Sequence, residues 1–269
     1  MIELIQITND PAFASRCDAL EGMRLFVDLE RLGKAERQAG RDTFISTHGI
    51  ADVGKVRAQL KRSKLMVRVN PLNPATRDEV EAVLEGGADM LMLPMFSGAA
   101  QLREFVDLVA GRVPVAALVE TATALASAEE WIGTEGLGEA YVGLNDLHLS
   151  LGNRFMFEPL AQGLVDRVAM LAREHGVDFG FGGIARLDEG LLPGRDVLAE
   201  HVRLGSKSVI LARSFQGGDG ATTRLEHQVL ALRTAEAMLV QRTPEQARQD
   251  SRRIAQVIRQ IAASMPPRP

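Results

Sequence analysis

Two apolar runs in the middle of the chain each end in a carboxylate: residues 113–120 read VPVAALVE, and residues 139–146 read EAYVGLND. Short apolar runs of this kind are typical of strands that are buried on both faces of a parallel sheet. A carboxylate at the end of such a strand is poor core material, because its burial without a partner costs several kcal/mol. We therefore expect Glu120 and Asp146 to lie at a functional site, where a divalent metal ion would be their partner.

On both sides of these runs, strand-like segments alternate with helix-like segments. Strands are predicted at residues 2–8, 23–30, 64–70, 89–96, 113–120, 139–146, 177–184 and 206–214. Helices are predicted at residues 11–20, 50–61, 76–86, 99–110, 124–132, 159–175 and 192–204. Eight strands separated by helices predict parallel neighbours joined by right-handed crossovers. The predicted fold is of the α/β class, a (β/α)8 TIM barrel that occupies residues 1–221.

The remainder of the chain, residues 222–269, is predicted to be a C-terminal helical extension. Its second helix opens at Thr243 with the capping-box sequence TPEQ. One face of that helix carries an apolar stripe formed by Ile254, Val257, Ile258 and Ile261. A barrel needs only one helix after its last strand, so we expect the stripe to pack on a neighbouring subunit of a homo-oligomer. The alternative is that the extension folds back on its own barrel.

Composition argues against several classes of function. The 269 residues carry a formal net charge of -4, and no dense basic stretch precedes the last helix, which argues against nucleic acid or an anionic membrane as the partner. The single cysteine, Cys17, excludes an intramolecular disulfide and suits a reducing compartment. The sequence has no apolar run of membrane-spanning length and no signal-peptide pattern at its N-terminus. We therefore expect a cytoplasmic protein that binds a small molecule.

Polar side chains follow several of the predicted strands. Asp28 and Glu30 end the second strand and Arg68 lies near the end of the third, while Glu120 and Asp146 end the fifth and sixth. In a parallel barrel these strand ends meet on one rim, which is where such barrels carry their active sites. Two carboxylates with free coordination positions suit Mg2+ or Mn2+, whereas zinc prefers a cluster of His or Cys that the sequence lacks.

A metal at this rim predicts chemistry on a 2-oxo acid. An ion held by Glu120 and Asp146 would accept the carboxylate and keto oxygens of the acid and stabilise an enolate. Arg68 would add positive charge beside the same oxygens, where negative charge develops during the reaction. The expected partner is therefore a small-molecule oxo acid.

A base is needed to move the proton, and His48 is the candidate. It lies in a polar, charge-rich stretch, residues 33–49, and long loops of this kind in compact domains are usually functional. Asp28 is expected to orient the His48 ring. Glu30 and Asn145, which flank the predicted anion and metal sites, are expected to contact the substrate.

Each assignment has a structural alternative. An acid at a strand end can simply cap the following helix, and Asp146, directly before Leu147, has the sequence position of such a cap. Arg68 could be held in a structural ion pair with Glu30. His48 could be a solvated loop histidine with no role in catalysis.

Four motifs, in order along the chain, resemble those of the HpcH/HpaI aldolase and citrate lyase β-subunit family. They are VRVNP at 67–71, GGADMLMLP at 86–94, LVETA at 118–122 and GLNDLHLSLG at 143–152. The resemblance extends over about residues 24–215 and implies a phosphoenolpyruvate/pyruvate-type barrel. It implies that Glu120 and Asp146 bind Mg2+ or a similar ion, and that Arg68 binds the oxo acid or its enolate. It also implies a homo-oligomer, a trimer or hexamer.

One position departs from that family pattern. Aldolases of the family carry a histidine directly after the Asp-x-Glu of the second strand, whereas here residues 28–30 are followed by Arg31. The predicted function is a metal-dependent, aldolase-type carbon–carbon lyase that acts on a 2-oxo or 2-hydroxy acid through a pyruvate-like enolate. Two alternatives stay open. One is a CoA-thioester lyase of the citryl- or malyl-CoA type, or a citrate lyase β-like subunit; the other is a catalytically silent ligand-binding barrel.

Overall fold

Eight parallel strands close into a barrel in the computed structural model, which describes residues 1–34, 47–216 and 224–266. The strands are β1 (Glu3–Ile7), β2 (Met23–Asp28), β3 (Lys64–Arg68), β4 (Met90–Leu93), β5 (Val115–Val119), β6 (Leu137–Val142), β7 (Asp178–Ile184) and β8 (Ser208–Leu211). Each strand pairs with the next one in the chain, and β8 pairs with β1. The predicted (β/α)8 barrel is confirmed.

Helices surround the barrel and follow its strands. Those in the described residues are α1 (Pro11–Asp18), α2 (Ile50–Arg57), α3 (Thr76–Glu85), α4 (Ala99–Val109), α5 (Ala122–Ala126), α6 (Ala128–Trp131), α7 (Leu144–Ser150), α8 (Glu158–Ala161), α9 (Leu164–His175), α10 (Gly194–Leu204), α11 (Arg224–Val240) and α12 (Pro244–Ser264). The start of α12 has the predicted capping box, in which the Thr243 hydroxyl accepts the amide of Gln246. Within the described ranges, no helix is both long and apolar enough to cross a bilayer.

Two predicted helices are each divided in two. The helix predicted at 124–132 consists of α5 and α6, because the Ser127 hydroxyl donates to the Thr123 carbonyl and the Ser127 backbone leaves the helical region. The helix predicted at 159–175 consists of α8 and α9, which meet at Gly163, whose φ of 77° is left-handed. Neither break changes the order of the barrel.

Apolar side chains pack in two layers. The layer inside the barrel consists of Ile5, Phe26, Met66, Met90, Met92, Ala116, Leu118 and Tyr141. A larger layer lies between the outer faces of the strands and the surrounding helices. The alternation along β2 and β3 therefore directs Phe26 and Met66 inward, and the strand-end residues two positions later, Asp28 and Arg68, share that inward face.

An ion-pair cluster closes the N-terminal end of the barrel. Arg24 of β2 pairs with Glu139 of β6 and with Glu3 of β1. Glu139 is fully buried, and it also accepts a hydrogen bond from the Ser208 hydroxyl. These partners compensate the cost of placing a carboxylate inside the barrel. The sequence predicts Glu139 only as the first residue of a strand, and no local pattern identifies this cluster.

The C-terminal extension packs on its own chain. Ile254 and Ile258 of the apolar stripe are buried, and α12 contacts α8 and α10. Arg253 donates two hydrogen bonds to the Asp196 carboxylate in the first turn of α10. The expectation that this stripe covers a neighbouring subunit is therefore wrong for Ile254 and Ile258, because their own barrel buries them. The predicted domain boundary falls within residues 217–223, outside the described part of the chain, and the homo-oligomer stays a prediction.

Candidate active site

A cavity of about 710 Å3 opens at the C-terminal ends of the strands. The structure brings most of the predicted site residues to its wall: Asp28, His48, Arg68, Glu120, Asn145 and Asp146. They come from several elements between residues 28 and 146, and the closed barrel is what joins them. Glu30 is the exception, because it is fully buried and does not line the cavity.

Glu120 directly follows β5 and is almost completely buried. Its Oε1 accepts the backbone amide of Met95 at 3.0 Å. Burial raises the pKa of Glu120 to about 8 against the opposing effect of Arg68, and the charges of Glu30 and Asp146 add to the rise. In the absence of a metal ion, the Glu120 carboxyl therefore loses its proton less readily than an exposed glutamate does.

The backbone around Glu120 is adapted to its carboxylate. Met95 has a φ of 55°, a left-handed conformation that is unfavourable for a residue with a long side chain. This conformation accompanies the hydrogen bond from the Met95 amide to the Glu120 carboxylate. At Gly143, a Cβ atom would lie 3.0 Å from Glu120 Oε2 and 3.1 Å from Glu120 Cβ. Glycine at this position therefore leaves room for the carboxylate.

Asp146 faces the cavity from a helix and not from a strand end. The strand predicted at 139–146 ends at Val142, and Asp146 lies in the first turn of α7. The N-cap of α7 is Gly143, and the N-cap of α5 is Thr121, whose hydroxyl accepts the amide of Ala124. Neither carboxylate is therefore the helix cap that the structural alternative required. Asp146 is 8% exposed and acts electrostatically on Glu120.

Arg68 is held by two acids from β2 and the residues after it. Its Nε and Nη2 donate to Asp28 Oδ1 and Oδ2 at 2.9 and 2.8 Å, and its Nη1 lies 3.3 Å from Glu30 Oε2. Burial acts to raise the pKa of the Asp28 carboxyl, but Arg68 and Lys34 hold that pKa well below its usual value. The structural ion pair of Arg68 with Glu30 thus exists, and Arg68 still lines the cavity.

Lys34 is a site residue that the sequence analysis did not identify. Its Nζ lies 3.1 Å from Asp28 Oδ2 and 3.4 Å from Glu30 Oε2. The side chain is 6% exposed and lines the cavity. The available signal was its spacing, four residues after Glu30, which brings two side chains together wherever the backbone turns helically.

His48 is buried beside the same acids. Its Nδ1 accepts the backbone amide of Asp28 at 3.1 Å, which leaves the proton of the neutral ring on Nε2. Burial lowers the pKa of His48 against the opposing effect of the Asp28 charge. The ring is 5% exposed, so it is not the solvated loop histidine of the structural alternative. It is the Asp28 backbone that orients the ring, because the Asp28 carboxylate binds Arg68 and Lys34.

Three further features of this region bear on the predicted site: Glu30, Arg31 and the loop that follows them. Glu30, predicted to contact substrate, instead lies behind the wall, where it pairs with Arg68 and Lys34. Arg31, which stands where family aldolases have a histidine, donates from Nη2 to the His48 carbonyl at 2.6 Å. Most of the loop predicted to be functional, residues 35–46, lies outside the described residues.

The charges of the site leave an excess of two negative charges when every group is ionised. The groups are the acids Asp28, Glu30, Glu120 and Asp146 and the bases Arg68 and Lys34. No set of three or more His, Cys, Asp or Glu in metal-binding arrangement occurs in the described residues. Mg2+ nevertheless commonly uses one or two protein carboxylates together with water and substrate oxygens. The donor set at Glu120 and Asp146 therefore fits a hard divalent ion.

The cavity mouth combines apolar and basic side chains. Phe13, Arg16, Met156 and Arg213 line it, and none of them was singled out from the sequence. Arg16 Nη2 lies 3.1 Å from Glu226 Oε1 of α11, so this arginine is fixed by the C-terminal extension. The mouth can therefore contact the part of a ligand that extends away from Glu120.

Known proteins match the chain in sequence. A family model described as HpcH/HpaI aldolase/citrate lyase matches residues 25–179, more than half of the chain. A (3S)-malyl-CoA thioesterase from Cereibacter sphaeroides is 30% identical over 165 residues, which are 60% of this chain and 55% of that protein. The same enzyme from another strain is 34% identical over 130 residues, 47% of this chain and 45% of that protein. The chain thus spans about half the length of these curated relatives.

Solved structures match the fold over most of the chain. A citrate lyase β subunit from M. tuberculosis, in complex with oxaloacetate and magnesium, has a TM-score of 0.60 at 21% identity and covers 87% of this chain and 96% of that one. An HpcH/HpaI aldolase from Desulfitobacterium hafniense has a TM-score of 0.60 at 15% identity and covers 88% of this chain and 92% of that one. At these identities the likeness shows the barrel fold alone.

Proposed function

The chain belongs to the HpcH/HpaI aldolase/citrate lyase family, and we propose that it is a metal-dependent carbon–carbon lyase acting on a 2-oxo or 2-hydroxy acid through a pyruvate-like enolate. The observation that carries this proposal is the arrangement of charges in the cavity wall. The Arg68 guanidinium interacts electrostatically with the Glu120 carboxyl, and Glu120 interacts in turn with Asp146. A cation-binding pair beside a fixed guanidinium is the arrangement that an enolate and its carboxylate require.

Glu120 and Asp146 are the residues that would hold a Mg2+ or Mn2+ ion. When bound, such an ion supplies Lewis-acid stabilisation to the keto and carboxylate oxygens of an oxo acid. The protein contributes the carboxylates, the Met95 amide that orients Glu120, and the room that Gly143 leaves beside it. The excess negative charge of the site further supports a divalent cation.

Arg68 would bind the oxo acid and stabilise its developing charge. A guanidinium has five N–H donors, of which Asp28 takes two and Glu30 lies near a third. These contacts fix the plane of the group before the substrate arrives, so little reorganisation is needed during the reaction. The remaining donors are available on a residue that lines the cavity.

His48 fits a role as hydrogen-bond donor better than the role of base predicted from the sequence. A base needs a free lone pair, and the Nδ1 lone pair of His48 accepts the Asp28 amide. The other ring nitrogen carries the proton of the neutral ring. We therefore propose that His48 serves the reaction as a hydrogen-bond donor in the cavity wall, with its ring fixed by the backbone amide of Asp28.

Action on a CoA thioester is the second candidate. It is supported by the curated relatives named (3S)-malyl-CoA thioesterase and by Arg16 and Arg213 at the cavity mouth, whose charges suit phosphate groups. This candidate would be favoured if the protein cleaved malyl-CoA or citryl-CoA and showed no reaction with free oxo acids.

Exchange of the methyl protons of pyruvate in D2O tests the enolate half-reaction directly. We expect exchange in the presence of Mg2+ or Mn2+ and none after addition of EDTA. Glu120→Gln should abolish it, whereas Glu130→Gln on the exposed face of α6 should leave it unchanged. Metal binding without exchange or cleavage of any oxo acid would instead support a ligand-binding barrel.

A further inference from the structure

Lys34 is a buried cation in the wall of the cavity whose contacts are to acids that the chemistry itself does not use. Its Nζ lies between Asp28 Oδ2 at 3.1 Å and Glu30 Oε2 at 3.4 Å. These same two carboxylates hold Arg68. Lys34 and Arg68 therefore share their counterions.

The charge of this group determines what Arg68 can offer to a ligand. Asp28 and Glu30 together balance Lys34 and Arg68 when all four are ionised. If Lys34 were neutral, the two acids would outweigh Arg68, and an anion approaching the guanidinium would meet a net negative group. Such an imbalance acts strongly here, because the members of the group are at most 14% exposed and are poorly screened.

We infer that Lys34 is a positioning residue for the substrate carboxylate: by balancing one of the two negative charges of Asp28 and Glu30, it keeps these acids from outweighing the positive charge of Arg68 where a 2-oxo acid anion binds. The inference rests on the proposed function.

Binding of two ligands of opposite charge separates this role from a merely structural one. The probes are Mn2+ alone and oxalate in the presence of saturating Mn2+, measured by calorimetry on the full chain. For Lys34→Met we expect about a 30-fold weaker affinity for oxalate, a dianion shaped like the pyruvate enolate, and an affinity for Mn2+ that is equal or tighter. If Lys34 only anchored the chain after β2, both affinities would fall together.

Removal of the opposing charge should rescue the variant. Lys34→Met combined with Glu30→Gln restores a balanced group, so oxalate affinity should return to within about fivefold of the wild type. Glu30→Gln alone leaves the group positive and should bind oxalate more tightly than the wild type and Mn2+ more weakly. Lys34→Arg keeps the charge and should keep the affinity within about fivefold.

The outcomes distinguish this inference from the proposed function. A wild-type protein that binds neither Mn2+ nor oxalate contradicts the proposed function. A wild-type protein that binds both, with unchanged oxalate affinity in Lys34→Met or with no rescue in a folded double variant, contradicts the role of Lys34 alone. Thermal unfolding of each variant establishes that it is folded. If Lys34→Met does not fold, Glu30→Gln alone tests the inference: tighter binding of oxalate supports it, and unchanged or weaker binding contradicts it.

Discussion

Asp28 and Arg68 lie directly opposite each other in the register of β2 and β3, and two parallel hydrogen bonds of 2.9 and 2.8 Å join the carboxylate to the guanidinium. The pair closes the C-terminal ends of two adjacent strands. It also fixes the direction in which Arg68 faces the cavity. A bidentate contact of this kind depends on the planar fork of arginine and is not reproduced by lysine.

Loss of the Asp28 charge should destabilise the barrel. Asp28→Asn leaves Arg68 and Lys34 with one buried counterion fewer, and we expect the free energy of unfolding to fall by about 3 kcal/mol. Urea unfolding measures this difference. Asp178→Asn, at an exposed position on β7, is the matched control and should change the free energy of unfolding by less than about 0.5 kcal/mol.

The Asp28 contribution should depend on pH in a defined direction. The pKa of Asp28 is lower in the folded protein than in the unfolded chain, so its stabilisation is complete above about pH 4 and is lost as the pH falls further. The gap in free energy of unfolding between the wild type and Asp28→Asn should therefore narrow below about pH 4. A gap of constant size down to pH 2.5 would contradict the ion pair.

Metal affinity should rise with pH. Because burial raises the pKa of Glu120 to about 8, binding of Mn2+ at the proposed site would release a proton below that pH, and the Mn2+ affinity should increase by up to about tenfold per pH unit between pH 6 and 8. Calorimetry in buffers of different ionisation enthalpy would detect the released proton. In Glu120→Gln, residual Mn2+ binding should lose this pH dependence.

The His48 side chain should matter less for proton exchange than Glu120, the proposed metal ligand, if His48 donates a hydrogen bond and does not act as the base. We expect His48→Gln to slow pyruvate proton exchange by less than about 100-fold, since loss of a general base typically costs 100- to 10,000-fold. Glu120→Gln in the same assay should leave no measurable exchange. Complete loss of proton exchange in a folded His48→Gln variant would instead support the role of general base that the sequence predicts for His48.

The space beside Glu120 should tolerate no methyl group. In Gly143→Ala the new Cβ would lie 3.0 Å from Glu120 Oε2 and 3.0 Å from a Leu118 methyl, and we expect about 1–3 kcal/mol of destabilisation together with weaker Mn2+ binding. Gly54→Ala in α2 is the control, because its Cβ would meet nothing within 4 Å. That substitution should stabilise the helix by about 0.5–1 kcal/mol.

The barrel was predictable because its period is repeated along the whole chain. The alternation of apolar strands and amphipathic helices determines the class, and the strand ends then assign Asp28, Arg68 and Glu120 to one rim. Boundaries were less predictable: β6 ends at Val142 and α7 begins at Leu144 with only Gly143 between them, so the sequence placed Asp146 on the strand. Its position on the rim is the same in either case.

Other features depend on contacts that no local pattern contains. The partner of Lys34 is decided by how the chain turns after β2, and the pairing of Arg24 with Glu139 joins residues from opposite sides of the barrel. The stripe on α12 indicated that Ile258 would be buried, but a period of 3.6 residues does not specify which surface covers it. The left-handed backbone at Met95 is set by its environment and not by its residue type.

The cluster of Arg24, Glu139 and Glu3 has a kinetic consequence. Since it fills the N-terminal end of the described barrel, a ligand reaches Glu120 and Arg68 through the mouth lined by Arg16 and Arg213. If the cavity cleaves a substrate as proposed, one fragment would form near Glu120 and Asp146 at the closed inner end and the other at the mouth. We expect the outer fragment to leave first and the inner one last, so that the inner product competes with the substrate and the outer product does not.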